Sequence, residues 1–407
     1  MLHFFYTYHQ LPAVKTPAAT PFKIFSAEKY QGKVIPFSHS YVTSDPYLRK
    51  IKKSLGEEYA DKLNVMNTSQ VKALKSHANF PIELTRLGEG AVDVIKADFS
   101  EKSTINIVVV NGVGTGFGDN YVGLGAMQRL TELLSPLRVN FHLMQTMNER
   151  AATVYMREEN IFLYNNCLKL KKFLQMDFYV NLTGMLGFDA FEQLPLARFM
   201  AQSFMVDECS SIEELQPTLT LDPYKLLSIK RAMSVAFDSK KPIVLFHPQA
   251  SSPVRTMKKG VADTLITALI AHGFHVVSAI PYTFNAKEFV SLDELSSDVD
   301  DLVHITRCSD AVVSVGTVLY HLAAALRKPT ILLPSVKADV ESGSILPTVT
   351  AWVPQQSVNL IIDKHKSREE QDLKIAEKIW ANIDPMRLAS ELKQRLKTGE
   401  SEAKIIL

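Results

Sequence analysis

INIVVVNGVGTGFGDNYVGLGAMQRLTELLSP, residues 105–136, decides how the rest of the chain is read. Ile105 to Val110 is an apolar run of strand length interrupted only by Asn106, as expected for a parallel strand buried on both faces. Asn111 to Asp119 is a turn with glycine at 112, 114, 116 and 118. After it Val122, Leu124, Met127, Leu130, Leu133 and Leu134 recur at helical spacing until Pro136. The unit is strand, glycine loop, helix, the first step of a doubly wound α/β domain. Gly116 and Gly118 let the backbone approach a ligand or an acceptor closely, and the helix behind them offers free N–H groups to an anion. This is not the dinucleotide fingerprint: Phe117 stands where its third glycine belongs, and no GK[ST] follows to make a triphosphate loop. Asp119, at the helix start, reads equally as an N-cap and as a carboxylate kept ionised by the helix dipole and able to take a proton from a hydroxyl.

Outward from this stretch the same rhythm continues. VNFHLM, IFLYNN and DFYVNLTG are strands of a domain running over residues 104–238. Lys241 opens a second α/β domain, residues 239–365, with strands in PIVLFHP, FHVVSAI, AVVSV and TILLP. Helices alternate with them in VADTLITALIAHG, closed by Gly273, in LVHITRCSD, and in TVLYHLAAALRKP, ended by Pro329. Residues 366–407 are helical with a break at Asp384-Pro385, and are expected to cross back to the first α/β domain. Residues 1–103 are Lys- and Pro-punctuated. They are expected to form a small accessory α+β domain, β-leaning in VIPFSHSYVT and AVDVIKADF and helical in YLRKIKKSLGEEYADKL, where Arg49, Lys50, Lys52 and Lys53 face Glu57 and Glu58. MLHFFYTYHQLPAVK reads as the first strand of a domain rather than a signal. The fold class expected is thus α/β, two Rossmann-like doubly wound domains facing a cleft.

The chain has 407 residues, 46% hydrophobic and 22% charged, enough apolar material for more than one core. Lys+Arg 45 against Asp+Glu 43 leaves +2, which provides no field to draw nucleic acid. Three scattered cysteines, Cys167, Cys209 and Cys308, make neither a disulfide framework nor a zinc cluster and suit a reducing cytoplasm. No apolar run reaches the ~18 residues that would span a bilayer.

Two further elements carry chemistry. His247-Pro-Gln-Ala-Ser-Ser-Pro-Val-Arg-Thr-Met-Lys-Lys259 runs from a strand end into a loop bearing Ser252, Arg255, Thr256 and Lys258 just before a helix: hydroxyls, cations and a helix N-terminus suited to a diphosphate. In Ser314 to Leu326, Gly316-Thr317 caps a helix that carries His321 on its first turns. Asp298-Val-Asp300 has the spacing of a metal-holding pair, but it precedes a short helix and reads as capping.

Together the three elements resemble the bacterial heptosyltransferases of glycosyltransferase family nine, which use ADP-heptose and have the two-domain GT-B fold. Phe117-Gly118-Asp119 is similar to the family's Gly-Asp turn, HPQASSPVRTMKK to its donor loop, and SVGTVLYHLAAALRKP to its third pattern. The departures are Gln249 for a donor-loop glycine, Met257 in place of a tryptophan, Gly316 for a donor-contacting aspartate and Val318 for a glycine. The cysteine-rich iron-binding element of protein-modifying relatives has no counterpart after Cys308. The resemblance implies an inverting, metal-independent transfer of a heptose or related hexose to a glycan, lipopolysaccharide or protein acceptor. The donor is a nucleoside-diphosphate sugar, ADP-linked for choice, and no resident cofactor takes part. Asp119 is then the base. Ser252, Arg255, Thr256, Lys258, Gly316, Thr317 and His321 bind the donor. Partners implied are a glycan, lipid-linked saccharide or protein acceptor, the inner membrane face and, through the N-terminal region, further copies of the chain. The competing readings are a non-catalytic nucleotide-sugar binder and an NAD-dependent oxidoreductase or epimerase. The latter is disfavoured by the missing third glycine and because VNFHLM passes into Gln145-Thr146 and not into an acid.

Overall fold

The computed structural model describes residues 2–6, 40–44, 48–49, 52–53, 64–110, 117–145, 153–155, 157–165, 167–183, 194, 196–211, 213–237, 240–250, 256–296, 301–333, 383–398 and 403–405. The chain divides into two compact units, Met1–Phe188 with Met200–Leu215, and Asp189–Phe199 with Gln216–Leu407.

The first unit contains β1 (Leu2–Tyr6), β2 (Ser40–Ser44), β3 (Asn64–Val65), β4 (Ile82–Glu83), β5 (Thr104–Val110), β6 (Arg138–Gln145), β7 (Ile161–Asn165), β8 (Cys167–Lys169) and β9 (Phe178–Asn181). Five of them form a parallel sheet in the order β4-β9-β5-β6-β7. Its central strand is β5, in which Ile105 and Ile107 to Val110 have no exposed surface, as its apolar residues require, while Asn106 is only partly buried. The helix Phe117–Leu133 leads from β5 to β6. The other four strands form an antiparallel sheet in the order β3-β1-β2-β8.

This arrangement corrects the expectation of a separate domain over residues 1–103. The antiparallel sheet is completed by β8, from the middle of the first α/β region, with Val42 paired to Leu168. Its apolar face is buried in one cluster with the parallel sheet: Phe4, Val42, Met66 and Leu74 pack with Val108, Val110, Met144, Phe173 and Tyr179. β4 is itself an edge strand of the parallel sheet, Ile82 pairing with Phe178. Strands as short as β1 to β3 cannot bury their apolar face alone and borrow that of the neighbouring sheet. AVDVIKADF is also not β-structure: Ala91–Asp98 is a helix that turns Ala91, Val92 and Ile95 inward and leaves Val94 exposed. Of the basic patch, Leu48, Arg49, Lys52 and Lys53 are helical, with Leu48 buried and Arg49 exposed. Lys50, Glu57 and Glu58 lie outside the described residues.

The second unit contains β10 (Ile243–His247), β11 (His275–Ser278), β12 (Phe289–Val290), β13 (Ala311–Val315), β14 (Thr330–Leu333) and β15 (Ala403–Ile405). They form one parallel sheet in the order β12-β11-β10-β13-β14-β15. The helix Lys259–Ala271 follows β10 and ends before Gly273, whose φ of +87° suits the glycine stop read from the sequence.

Both edges of this unit differ from the expected boundaries. The helix Pro223–Ala236 belongs here and not to a domain ending at 238. The N–H of Asp222 donates to Nε2 of His304 at 3.1 Å, and Lys225 pairs with Asp301 at 3.2 Å. The described C-terminal helix, Pro385–Thr398, does not cross back. Leu388, Ala389 and Leu392 are buried in the core of the second unit with Leu265, Leu269 and Phe274, because its apolar stripe is complementary to the outer face of Lys259–Ala271. Ala403–Ile405 then adds a parallel strand beside β14, an element absent from the sequence reading. Among the described residues no helix is long and apolar enough to cross a membrane.

Candidate functional site

In the first unit the helix Phe117–Leu133 begins at the carboxyl end of β5, earlier than its apolar periodicity indicates. Asp119 is therefore not the N-cap but the third residue of the first turn, where an anionic side chain is favoured by the exposed N–H groups and the helix dipole. It is half-buried. Gly118 is a helical residue and not part of an open loop, and Gly116 lies outside the described residues. Beside Asp119, Asn120 is buried and receives the hydroxyl of Tyr155, which donates to Oδ1 at 3.0 Å and to the main-chain oxygen at 3.3 Å. Burial drives the Tyr155 hydroxyl well above its ordinary range, and the negative charge of Asp119 pushes the same way. The start of this helix is thus held by a neutral phenol close enough to sense the carboxylate.

Gln145 closes β6 at the same sheet edge, 2% exposed, with neither amide atom meeting a hydrogen-bond partner among the described residues. The hydroxyl of Thr183, just past β9, is in the same condition. The sequence reading passed over Asn120, Tyr155 and Thr183 and noted Gln145 only for not being acidic. No motif surrounds them, and only the alignment of strand ends brings them to one edge.

In the second unit β10 and β13 are parallel neighbours, with His247 paired to Ser314. The two donor-side motifs, 60-odd residues apart in sequence, therefore leave the sheet side by side at its carboxyl edge, where open α/β sheets bind ligands. Ser252 and Arg255 lie outside the described residues. The base of their loop is clasped: the hydroxyl of Thr256 donates to the Ala250 carbonyl and accepts from its N–H, both at 3.2 Å, and the N–H of Met257 donates to the Pro248 carbonyl at 2.8 Å. Thr256 thus joins the residues on either side of 251–255. Lys258 is exposed at the cap of the following helix. Met257 is buried in the core of the second unit.

Thr317, not Gly316, caps the helix Val318–Ala325. Its hydroxyl accepts from the Leu319 N–H at 3.3 Å and meets Ser314 Oγ at 3.2 Å. His321 is half-buried one turn in, its ring 5.0 Å from that of Tyr320. Asp298 and Asp300 lie outside the described residues, and among those described no group of three His, Cys, Asp or Glu could hold a metal ion.

A cavity of about 550 Å³ opens beside the donor loop, bounded by Pro248, Gln249 and Met257 on one side and Tyr282, Phe284, Ser291 and Asp293 on the other. That volume suits a nucleotide-sized ligand. Lys259 borders it, held between both carboxylate oxygens of Asp263 at 2.8 and 2.9 Å and the Thr283 carbonyl at 3.1 Å, with its ammonium 5.0 Å from the centre of the Tyr282 ring. Ser291 accepts from the Tyr282 N–H at 2.8 Å and donates to Asp293. Two aromatic rings, the carboxylates of Asp293 and Glu294 and the ammonium of Lys259 stand around one space. None of Tyr282, Phe284, Ser291 and Asp293 was marked by the sequence, since they sit in an irregular segment without a motif.

His247, at the end of β10, is pushed down to about 4, burial outweighing main-chain hydrogen bonds that act the other way. His142 on β6 is also lowered to about 4, by burial and then by Lys172. Both rings are neutral in the folded chain, whereas an unfolded histidine titrates near ~6.5. Folded values depressed below unfolded ones mean that stability is complete above about 6.5 and is lost as pH falls toward 4. Proton NMR should find both rings uncharged at pH 5, and a ring that titrates near 6.5 contradicts its assignment as buried and neutral.

No protein-family model matches the chain, and no curated protein matches its sequence. Among solved structures, the ADP-heptose lipopolysaccharide heptosyltransferase II of Escherichia coli is 14% identical and superposes with a TM-score of 0.50 over 73% of this chain and 99% of that one. The chain has the heptosyltransferase fold. A family 9 glycosyltransferase from Veillonella parvula, 8% identical, gives 0.49 over 73% of this chain and 98% of that one. The iron-containing dodecameric glycosyltransferase TibC of enterotoxigenic E. coli, 12% identical, gives 0.48 over 72% and 78%. On the heptosyltransferase fold, the α/β class and parallel sheets read from residues 105–340 stand as expected.

Proposed function

We propose that this chain is an inverting, metal-independent glycosyltransferase that moves a sugar from a nucleoside diphosphate to a hydroxyl of a saccharide, lipid-linked or protein acceptor. The observation that carries the reading is the emergence of the two donor-side motifs from adjacent strands β10 and β13, next to a cavity of nucleotide size. In this reading Asp119 takes the proton from the acceptor hydroxyl, whose oxygen bonds to the anomeric carbon as the bond to the diphosphate oxygen breaks. Arg255, Lys258 and the helix N-terminus at Thr317 neutralise the charge that develops on the departing diphosphate, with Ser252, Gly316 and His321 as further donor contacts in this reading. Tyr282 and Phe284 stack on the base, and Asp293 accepts from the ribose. ADP-linked heptose is the donor favoured by the resemblance, and the cations and helix N-terminus supply the charge stabilisation that a metal provides elsewhere.

A thermal-shift panel of ADP, UDP, GDP, CMP and dTDP tests the donor assignment. A nucleotide at 100 times its dissociation constant stabilises the fold by ~2.7 kcal/mol, so one member should raise the melting temperature selectively. No shift with any of them removes the donor site from this cavity. The second reading, a non-catalytic binder, is favoured by Gly316 and Val318 standing where the family pattern has aspartate and glycine. It is separated by hydrolysis: a binder shows the thermal shift yet releases no nucleoside diphosphate over hours.

A further inference from the structure

The helix Pro223–Ala236 buries Ile229 and Met233 and turns an unusual face outward. Tyr224 and Val235 are each 84% exposed and Leu227 is 48% exposed; no other large apolar side chain among the described residues is as exposed as the first two. At 100° per residue Tyr224, Leu227, Arg231 and Val235 share one face, with Lys230 on its flank. Scattered exposed apolar residues are ordinary, but three on one helix face form a patch.

The charges around this patch are one-sided. Lys230 and Arg231 on the helix and Arg307 on the helix Asp301–Cys308 have no ion-pair partner among the described residues, and all three are exposed. Lys328 lies near them. It donates to the Ser309 carbonyl at 2.6 Å, and its ammonium is held below its ordinary range by burial and then by Arg307, with Lys230 adding and Asp310 opposing. The nearby acids are engaged: Asp301 pairs with Lys225, Asp222 accepts from the N–H groups of Tyr224 and Lys225, and Asp310 accepts from the N–H of Ile243.

We propose that this helix face, Tyr224, Leu227 and Val235 with Lys230, Arg231 and Arg307, is a peripheral docking surface for an anionic lipid bilayer. A tyrosine and aliphatic side chains enter the boundary between headgroups and acyl chains, while unpaired cations meet the lipid phosphates, the division of labour of an interfacial amphipathic helix. Charge complementarity selects the bilayer over a second copy of the chain, since a copy would bring the same unpaired cations against these. The surface stands independently of the glycosyltransferase reading, because none of its residues belongs to the cavity or to the helix of Asp119.

Co-sedimentation of the full chain with phosphatidylglycerol-rich and with pure phosphatidylcholine vesicles tests it. The wild type should pellet with the first and not the second, and should be released near 1 M salt, where the screening length falls to ~3 Å. K230E/R231E and, separately, Y224S/V235S should each weaken binding about tenfold or more with melting temperature unchanged, because every altered side chain is exposed. A wild type that stays in the supernatant with anionic vesicles, or variants retained as well as the wild type, overturns the proposal. So does sedimentation equilibrium that finds a dimer which Y224S/V235S converts to monomer, since the face would then be an interface between copies.

Discussion

Asp119→Asn is expected to lower turnover by about 10² to 10⁴-fold, the factor a positioned general base contributes, while leaving nucleotide binding intact. Asparagine keeps the shape and polarity of the side chain at the third position of Phe117–Leu133, and the charge–dipole contribution lost at the helix start is ~0.3–1 kcal/mol. The buried Tyr155–Asn120 pair that anchors this turn is untouched. The measurement is a single-turnover assay with the donor identified by the thermal-shift panel, run beside the donor-induced shift of the variant. Full turnover in the variant removes Asp119 from proton transfer. Loss of the nucleotide shift along with turnover would instead tie Asp119 to donor binding, against its assignment to the acceptor.

Phe173→Ala is expected to destabilise the first unit by about 3–5 kcal/mol, the usual cost of emptying a buried phenylalanine site. Phe173 has no exposed surface and lies edge-on to Phe4 at 6.0 Å and Phe80 at 5.6 Å, with Tyr179 at 6.1 Å. It stands where the antiparallel sheet meets the parallel one, so its loss should loosen residues near both termini of the unit together. For a unit of this size each kcal/mol moves the melting temperature by about 2–4 °C. Hydrogen exchange should show β1, β2 and β8 losing protection along with β5. A chain that starts at residue 104 and melts at the wild-type temperature would sink the shared core, because Val108, Val110 and Met144 would then tolerate exposure of the face that Phe4 and Val42 cover.

The same contrast runs through the site. Local chemistry made the strands legible: β5, β10, β13 and β14 are short, predominantly apolar runs followed by glycine or proline within two residues, and each lies where its pattern puts it. Thr317 as a cap and Gly273 as a stop follow from side-chain geometry a few residues in reach. AVDVIKADF failed because Val92, Val94 and Ile95, spaced among polar residues, satisfy a strand and a helix face alike. Burial of Val92 and Ile95 against the rest of the first unit, with Val94 left outside, settled it.

By itself the sequence determined the α/β class, the succession along the chain of the central strands and helices of both parallel sheets, and three motifs to examine for chemistry. Periodicity and capping act over a turn or a pleat, so they survive translation into structure. Only the tertiary structure decided that β10 and β13 are neighbours, that β8 completes the sheet of β1 to β3, and that Pro385–Thr398 returns to Lys259–Ala271. Strand order and helix docking depend on which apolar faces are complementary across long stretches of chain, and no single segment carries that information. The cavity beside the donor loop and the buried ends of Gln145 and Thr183 follow from the same pairing, since they are made by segments brought together only when the sheets are assembled.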